Sequence, residues 1–573
     1  MKKTILVMAS LIILLLFIKC NSEPNAPISK NSDTELIDDL SKIRALGFNP
    51  EEVEDLGDSY LVEGDINIYK KNLSTLPNLF KEQQNRTDYL VSPAIVGNIS
   101  VYIDPSMASW TSIIQGAVND WNDVHAKLHF TIVGSPSAYI TILNKDLGSN
   151  VFGKGDWIVG NGLPGDTVRI NLTICEEYNS TRKKHLVMHE MAHNIGMHHT
   201  DINSIQSYGI HIDGTPVEDQ TSIMYPYDMP DEAPPNNHDK YSIQSLYPPV
   251  EPTGSSRKAD MIYWRTNANN GQLSVYNNTN GHYFTTPILN DGSISTNTKF
   301  YFADVNGDGM DDRIFWRYDA AGGQLLIQLA TGGGQFSTNT IYQSGSTYSY
   351  TNFYFADVNG DGMADKIYWR YNAASGQLQI QLATGNGQFS TSIISQSGST
   401  SSNTKFYFTD VNGDGKDDRV YWNYSASSGQ LQIQLATGGG QFSTSTIYQT
   451  GSTYSYTNFY FADVNGDGMN DKIYWRYNAA GGKLQIELAT GGGQFSTSTI
   501  SQTGSTYSYT NFYFADVNGD GKADKIYRRY DAAFGNFLIN YGKGNGEFED
   551  WILYARGSEY SGTRFYFADV DGN

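Results

Sequence analysis

The sequence predicts a multidomain chain in which an α+β domain is followed by an all-β propeller. Strand-like and helix-like stretches alternate between residues 97 and 172, which predicts the α+β domain. Residues 257–573 then repeat every 53 residues, as the spacing of Asp304 and Asp357 shows. Each repeat holds four short strand-like stretches, and six copies of each stretch are present, so we expect six blades.

Residues 189–199, which read HEMAHNIGMHH, are the most chemically specific part of the chain. His189 and His193 are four residues apart, so on a helix they leave the same face. Gly196 can end that helix and let the chain bring His199 back as a third ligand. Three imidazoles with one open coordination position are typical of catalytic zinc.

Glu190 lies beside this predicted ligand set and is the expected general base. Zinc would acidify a bound water, and Glu190 would pass its proton to the leaving amine, so the predicted reaction is peptide-bond hydrolysis. The alternative is a chance cluster of helix-surface or core histidines. Four of the ten histidines fall in this run with Glu and Gly at the required offsets, which favours the metal site.

The pattern HExxHxxGxxH resembles the metzincin zinc peptidases, and further stretches resemble their dual-action HEIGH metallopeptidase family. Met191 and Ala192 replace the Ile-Gly that names the family. The resemblance covers roughly residues 40–248 and rests also on His199-Thr200-Asp201, Gly214-Thr215-Pro216 with Asp219, Ser222-Ile223-Met224, and Asp239 to Pro248. It implies an α+β metzincin-like fold and a zinc endopeptidase activity on protein or peptide substrates.

The same resemblance implies a methionine-containing turn beneath the metal, for which Met224 is the candidate. An ordinary core methionine is the alternative. Tyr225 and Tyr227 are candidates for stabilising the oxyanion of the reaction, although tyrosines packed into a turn would look the same.

The α+β elements are predicted from periodicity. An N-terminal helix is expected at Glu35–Leu46, and a second helix opens at Pro105. The second helix has a predicted core face of Ile113, Ile114, Ala117, Val118 and Trp121. Strands are expected at Tyr60–Ile68, Ile99–Ile103, Leu128–Val133, Tyr139–Leu143 and Thr167–Leu172.

The chain begins like an exported protein, with two lysines and then the apolar run Ile5–Ile18. Cys20 follows directly and is a candidate lipidation site of an outer-surface bacterial lipoprotein; simple secretion is the alternative, because Lys19 stands where a small residue is usual. Cys175 is the other cysteine, so no intrachain disulfide is expected. We predict a signal at 1–20, a pro-segment at 21–87, a catalytic domain at 88–250, a linker at 251–256 and the propeller at 257–573.

Asp65 is a candidate latency ligand. Val62-Glu63-Gly64-Asp65-Ile66 resembles the Phe-x-Gly-Asp-Ile motif in the pro-segments of astacins, another branch of the metzincins, whose Asp takes the place of the catalytic water. A carboxylate is a good zinc ligand, and the glycine lets the backbone approach the cleft. The alternative is a surface turn. Cleavage within residues 81–88 would release the segment.

Five loops of the repeat read Asp-x-Asn-x-Asp-Gly-x-x-Asp, a pattern whose alternating oxygen side chains can wrap a calcium ion. Plain Asx turns are the alternative. The repeat resembles the FG-GAP or VCBS-like unit. The candidate ligands are Asp304, Asn306, Asp308 and Asp312; Asp357, Asn359, Asp361 and Asp365; Asp410, Asn412, Asp414 and Asp418; Asp463, Asn465, Asp467 and Asp471; and Asp516, Asn518, Asp520 and Asp524.

The two ends of the array complement each other, so we expect Phe565–Ala568 to complete the blade that starts at Met261. The unit's four strands are expected at positions such as Phe353–Ala356, Lys366–Tyr371, Gln377–Leu382 and Gln388–Ile394. A tryptophan recurs on the second strand of five repeats, with Arg528 in the sixth, and is interpreted as packing between blades. Exposed aromatic residues holding sugar rings are the alternative.

Two functions are compatible with the sequence: a secreted zinc endopeptidase whose calcium-binding propeller docks substrate or surface material, or a lectin-like adhesive protein with a subsidiary protease domain. The complete catalytic pattern favours the first. The net charge of -21 disfavours nucleic acid and anionic lipid as partners, so a membrane would be contacted only through a lipid anchor.

Overall fold

The computed structural model describes residues 32–46, 48–73, 90–124, 126–158, 162–200, 212, 215–216, 218–226, 235–247, 258–267, 269–278, 287–532, 535–550, 552–555, 557–558 and 560–572. The predicted signal with Cys20, the predicted linker and the predicted cleavage stretch lie outside these residues. Among the described helices, none has the length and apolar character that a membrane crossing requires.

The N-terminal domain is built on one eight-stranded sheet with the order β1-β2-β3-β7-β8-β6-β4-β5. Strands β4, β5, β6 and β8 run parallel, whereas β7 is antiparallel to β8. The strands are β1 (Glu54–Asp55), β2 (Ser59–Val62), β3 (Ile66–Tyr69), β4 (Ile99–Ile103), β5 (Phe130–Val133), β6 (Ile140–Asn144), β7 (Gly153–Asp156) and β8 (Thr167–Ile170).

The described helices of this domain are α1 (Ser32–Ala45), α2 (Lys70–Leu73), α3 (Thr111–Asn122), α4 (Leu172–Cys175), α5 (Ser180–His193) and α6 (Asn237–Leu246). A 3₁₀ turn at Pro105–Trp110 precedes α3, so the helix predicted to open at Pro105 becomes α-helical only at Thr111. Ile114, Ala117, Val118 and Trp121 are buried as predicted, while Ile113 is half-buried at the edge of the core.

The N-terminal segment differs from its predicted form. The single strand expected at Tyr60–Ile68 is a hairpin of β2 and β3 whose turn contains Glu63 at a φ of 53° and Gly64 at 91°. The positive φ values reverse the chain, which a continuous strand cannot do. The hairpin joins the main sheet because β3 pairs in parallel with β7, a glycine-rich strand that the sequence analysis missed.

The C-terminal domain is a propeller of six four-stranded sheets, as predicted. From the centre outward, the blades are blade 1, β36 (Arg564–Ala568), β9 (Asp260–Trp264), β10 (Leu273–Tyr276) and β11 (Ile288–Asn290); blade 2, β12 (Lys299–Ala303), β13 (Asp312–Trp316), β14 (Leu325–Gln328) and β15 (Ile341–Gln343); and blade 3, β16 (Asn352–Ala356), β17 (Asp365–Trp369), β18 (Leu378–Gln381) and β19 (Ile394–Gln396).

The same order continues in the remaining blades. They are blade 4, β20 (Thr404–Thr409), β21 (Asp418–Asn423), β22 (Leu431–Gln434) and β25 (Ile447–Gln449); blade 5, β26 (Asn458–Ala462), β27 (Asp471–Trp475), β28 (Leu484–Glu487) and β31 (Ile500–Gln502); and blade 6, β32 (Asn511–Ala515), β33 (Asp524–Arg528), β34 (Phe537–Asn540) and β35 (Leu553–Ala555). Short hairpins β23–β24 (Ala436–Gly438, Gln441–Phe442) and β29–β30 (Ala489–Gly491, Gln494–Phe495) lie between strands three and four of blades 4 and 5.

The outermost strand of each blade lies later in the repeat than expected. In blade 3 the predicted strand Gln388–Ile394 is replaced by β19, which begins only at Ile394. The preceding residues form a tight glycine loop closed by an isolated bridge between Ala383 and Phe389. The glycines that allow this loop break the strand pattern.

The recurring tryptophans pack between blades, as interpreted from the sequence. Trp316 is buried, contacts Phe353 of the next blade edge to face at 5.2 Å, and donates to the carbonyls of Gly323 and Ser346. Arg528 replaces it in blade 6, where its Nε donates to the carbonyls of Gly535 and Ser558. The guanidinium thus reproduces the hydrogen bonds of the indole.

The two ends of the array close the ring, as predicted. Strand β36 pairs antiparallel with β9, with Phe565 opposite Tyr263 and Ala568 opposite Asp260. The pairing removes the open sheet edges that an unclosed array would expose.

Deleting residues 560–573 is therefore expected to lower the melting temperature by about 10 °C or more, because blade 1 loses its innermost strand. Calorimetry with and without a calcium chelator measures this effect. Tyr560→Ser, which changes the same region but keeps β36, is the control. An unchanged melting temperature in the deletion variant would show that closure contributes little.

Blade 6 also contacts the N-terminal domain. Gln244 on α6 is fully buried, donates to the carbonyls of Val124 and Ile552, and accepts from the backbone N–H of Tyr554 on β35. The Tyr554 hydroxyl donates to Asn237 at 2.7 Å. The propeller is thus attached to the last helix of the N-terminal domain by these hydrogen bonds.

Candidate metal centre

The three predicted histidine ligands meet at one point. His189 and His193 lie on the last turns of α5, and Gly196 turns the chain at a φ of 93° so that His199 returns to them. The Nε2 atom of His189 lies 3.2 Å from the Nε2 atoms of both His193 and His199. With Asp65 they form a group whose ligand atoms all lie within 4.8 Å of one another.

The outer nitrogen of each ring faces an acceptor, which favours the tautomer that presents the inner nitrogen to a cation. Each Nδ1 faces an acceptor: the carbonyl of Ile223 at 2.7 Å for His189, the carbonyl of Met197 at 2.9 Å for His193, and the Glu63 carboxylate at 3.2 Å for His199. A proton held at Nδ1 leaves the Nε2 lone pair pointing inward. Three imidazoles, which become neutral when they bind a metal, and a carboxylate fit zinc.

Glu190 is buried beside this group, and no described residue forms a hydrogen bond with its Oε2 atom. Strand β7 crosses directly over it: a Cβ at Gly153 would overlap the Glu190 carboxylate, and one at Gly155 would lie 2.5 Å from its carbonyl oxygen. The glycines of β7 therefore permit the close approach of this strand to α5.

The turn between β2 and β3 places two carboxylates against the histidines. Asp65 Oδ2 lies 3.2 Å from His199 Nε2 and 3.5 Å from His189 Nε2, and Oδ1 lies 3.8 Å from His193 Nε2. Glu63 reaches the other side of the His199 ring. The structure thus brings Asp65, the predicted latency ligand, to the centre of the predicted zinc site.

Burial and charge set the protonation preferences here. Burial raises the pKa of Glu190 well above its usual range, and the neighbouring Asp65 charge adds to this. Burial opposes charge on His199, but Asp65 and Glu63 raise its pKa to about 10. Burial lowers the pKa of His193 to about 3. The pKa of Asp65 is lowered despite its burial, because His199, His189 and His193 stabilise the carboxylate.

The predicted methionine turn lies next to the first ligand. Met224 is buried, and the carbonyl of the preceding residue, Ile223, is the acceptor for His189. Asp239 on α6 holds this turn: its carboxylate accepts from the Ser222 hydroxyl at 2.5 Å and the Ile223 N–H at 3.0 Å. Asp239 therefore positions the Ile223 backbone, whose carbonyl in turn holds the candidate ligand His189.

We expect Asp239→Asn to weaken zinc binding about tenfold, because an amide cannot accept both hydrogen bonds and the Ile223 carbonyl would shift from His189. Competition with a chromogenic chelator measures the affinity. Glu218→Gln, an exposed carboxylate near the same turn, is the matched control. Equal affinities of the two variants would exclude this role for Asp239.

The remaining residues singled out in the sequence are two tyrosines and one cysteine of the N-terminal domain. Tyr225 is half-buried in the methionine turn, and its N–H donates to the Ser222 carbonyl. Tyr227 lies outside the described residues. Cys175 is buried, which raises the pKa of its thiol to about 11 and leaves it uncharged.

The five complete acidic loops are ordered by their own backbone in this structure. In the first, Asp304 accepts from the N–H groups of Gly307 and Gly309, and Asp312 accepts from Val305 and Ala330. Within the described part of the propeller, the carboxylates that converge within 4.8 Å are instead those of Asp260, Asp569 and Asp571, where the two chain ends meet. Calcium in the five loops stays a prediction.

Sequence reasoning missed the residues that support the site from elsewhere in the chain. Glu63 and Asp239 are separated from the histidines by more than 35 residues, and nothing local marks them as partners. The motif Gly-x-Gly at β7 was the available signal, because two glycines in a strand indicate a close backbone approach. Phe48 and Trp157, which pack on His198, were also missed.

The fold and the site together define a metallopeptidase domain followed by a six-bladed propeller. Residues 60–225 match the model of the dual-action HEIGH metallo-peptidase family, and residues 304–368, 410–474 and 464–527 match the FG-GAP-like repeat. The N-terminal domain is thus similar to the dual-action HEIGH metallo-peptidases over residues 60–225, and the propeller contains stretches similar to the FG-GAP-like repeat.

Other comparisons give more distant likenesses. An Agrocybe aegerita lectin, whose structure is described as recognising non-reducing terminal N-acetylglucosamine, is 18% identical with a TM-score of 0.41, over 57% of this chain and 98% of its own. One structure of myroilysin is 18% identical with a TM-score of 0.20, over 26% of this chain and 80% of its own. A second is 15% identical with a TM-score of 0.21, over 35% and 95%. No curated protein matches the chain.

Proposed function

We propose that the protein is an exported zinc endopeptidase of metzincin type that is made latent by its own N-terminal segment. The observation that carries this proposal is the convergence of three Nε2 atoms, each on a ring whose Nδ1 faces an acceptor, beside a buried glutamate. His189, His193 and His199 would hold the metal. When bound, zinc supplies Lewis-acid chemistry that acidifies water and polarises a peptide carbonyl.

The chain's own residues supply the rest of the reaction. Glu190 accepts a proton from the attacking water and delivers it to the leaving amine, for which its raised pKa is suitable. The Ile223 and Met197 carbonyls keep the His189 and His193 rings in one tautomer. Tyr225 and Tyr227 remain candidates for stabilising the oxyanion.

Latency follows in this proposal from the position of the β2–β3 turn. Asp65 takes the place next to the histidines that the attacking water needs. Strand β3 pairs with the edge of β7 beside the site. The Gly155 N–H of β7 donates to the Asp65 carbonyl at 3.1 Å. The segment also fills the core, because Ile43, Phe48 and Val62 are buried in the same cluster as the zinc helix. Cleavage alone would therefore leave it bound until the hairpin separates from β7.

For the remaining parts of the chain, we propose export with lipidation at Cys20, calcium in the five complete acidic loops, and a docking role for the propeller. The loops carry the oxygen pattern that calcium prefers, and the buried Gln244 contact holds the propeller in a fixed position beside the catalytic domain. A propeller held in this way would bring bound material close to the peptidase.

Zinc analysis of the purified protein, combined with a casein digest before and after removal of the N-terminal segment, tests the proposal. We expect one zinc per chain and activity that a chelator abolishes and added zinc restores. Zinc-containing protein without peptidase activity in either form would contradict it, and would leave the binding function of the propeller as the main role.

A further inference from the structure

A repeated group of tyrosines and arginines lies on one face of the propeller. The acidic loops follow the ends of the innermost strands, so they occupy one face. At the opposite face, where the innermost strand begins and the second strand ends, blades 3, 5 and 6 each carry two exposed tyrosines beside an arginine. We refer to these groups as the tyrosine–arginine clusters.

The clusters have the same geometry in each blade. In blade 3 the rings of Tyr348 and Tyr350 are 5.5 Å apart, Tyr371 lies 5.9 Å from Tyr350, and the Arg370 guanidinium lies 4.4 Å from the Tyr348 ring centre. Blade 5 repeats this arrangement with Tyr454, Tyr456, Tyr477 and Arg476, and blade 6 with Tyr507, Tyr509, Tyr530 and Arg529. Blade 1 keeps part of it, with Arg265 over Tyr560.

These tyrosines are not part of the packing between blades. Tyr348 is 48% exposed and Tyr454 is 49% exposed, whereas the tryptophans of the same blades are buried. Exposed aromatic rings that recur in register on one face are expected to have a binding role, because they contribute little to the core.

The arginines differ in their ion pairs. In blade 6 Arg529 binds Asp531 at 3.1 Å. In blades 3 and 5 the corresponding residues are Asn372 and Asn478, and within the described part of the chain Arg370 and Arg476 form no ion pair. Blades 3 and 5 thus present positive charges that only an external anion would neutralise, in a protein whose net charge is -21.

We propose that the tyrosine–arginine clusters bind an acidic polysaccharide. The flat tyrosine faces fit the C–H face of a pyranose ring, and a guanidinium binds a carboxylate or sulfate group with two parallel hydrogen bonds. A polymer with repeating acidic sugars matches clusters that repeat around the ring, and several weak contacts then add up. Nucleic acid is the other polyanion that such clusters could bind, and it is therefore one of the probes in the test.

This proposal names a ligand class for the docking role proposed above, and it does not require peptidase activity. A failure of polysaccharide binding would leave the zinc and casein measurements unaffected. The two proposals are therefore tested separately.

Binding of the full-length protein to immobilised polymers tests the clusters. The probes are alginate as a carboxylated polymer, dextran sulfate as a sulfated one, unmodified dextran as the neutral control, and single-stranded DNA. We expect binding to at least one acidic polysaccharide, with the first two probes distinguishing carboxylate from sulfate, and weaker binding at higher salt. Equal binding to dextran, or stronger binding to DNA, would overturn the proposal.

Blade 4 provides the substitutions, because it has Ser401, Asn403 and Asn423 where blade 3 has Tyr348, Tyr350 and Arg370. The double variant Arg370→Asn/Arg476→Asn is expected to bind the acidic polymer about five- to thirtyfold more weakly. Tyr348→Ser/Tyr454→Ser should weaken binding without changing the net charge.

The matched control removes two positive charges from the opposite face, at Lys416→Met/Lys522→Met, since methionine occupies the same repeat position at 310, 363 and 469. Binding by this control should be unchanged. Equal losses in the control and in the arginine variant would show a general charge effect and overturn the proposal. The arginine variant decides the outcome even if the tyrosine variant unfolds, because blade 4 already folds with asparagine at this position.

Discussion

Glu190→Ala is expected to lower kcat on casein by about 10²–10⁴-fold while leaving the zinc content unchanged. The carboxylate is buried beside the three imidazoles but does not belong to the group of candidate ligand atoms. Its removal therefore takes away proton transfer without removing a ligand. Single-turnover rates and metal analysis of the same preparation measure the two effects.

Two further variants make this test specific. Glu190→Gln keeps the size of the side chain and should be as inactive as alanine, because an amide does not accept the proton. Glu177→Ala removes an exposed glutamate of the same domain and should retain full activity. A Glu190→Ala protein with more than about a tenth of the normal rate would exclude the general-base role.

Asp65→Ala is expected to raise the casein activity of the uncleaved precursor about tenfold or more. Asp65 contacts all three histidines, so the site is accessible only in the small fraction of molecules in which the turn has moved away. Activity is reduced in proportion to that fraction, and a contact worth about 1.4 kcal/mol already reduces it tenfold. The measurement is the initial rate of precursor that stays uncleaved on a gel throughout the assay.

The control for this test is Asp58→Ala, an exposed aspartate in the turn before β2. It should leave latency unchanged. Glu63→Ala, which frees His199 on its outer side only, is expected to activate less than Asp65→Ala. A precursor that is fully active with Asp65 intact would exclude this mechanism. The substitution is preferable to truncation, because the segment fills the core with Ile43 and Phe48.

The interface between the domains gives these tests a structural context. Helix α6 holds the methionine turn through Asp239 and the propeller through Gln244. One helix therefore contacts both blade 6 and the turn whose Ile223 carbonyl binds the candidate ligand His189. Substitutions in the propeller should be checked for effects on zinc affinity before they are interpreted as effects on docking.

The sequence alone determined the features that are local or periodic. The ligand spacing of α5 follows from 3.6 residues per turn, and the six blades follow from a repeat that returns at a constant interval. The ring closure was also predictable, because the two ends of the array carry complementary halves of one blade. In each case the prediction needs only a short motif or a pattern that repeats along the chain.

Only the tertiary structure decided how distant segments meet. The stretch Tyr60–Ile68 is strand-like in sequence, but the positive φ values of Glu63 and Gly64 divide it into β2 and β3. The pairing of β3 with β7 places Asp65 on the histidines, and sheet pairing depends on which edges are open rather than on local sequence. The tyrosine–arginine clusters likewise form only when the start of one strand lies beside the end of the next.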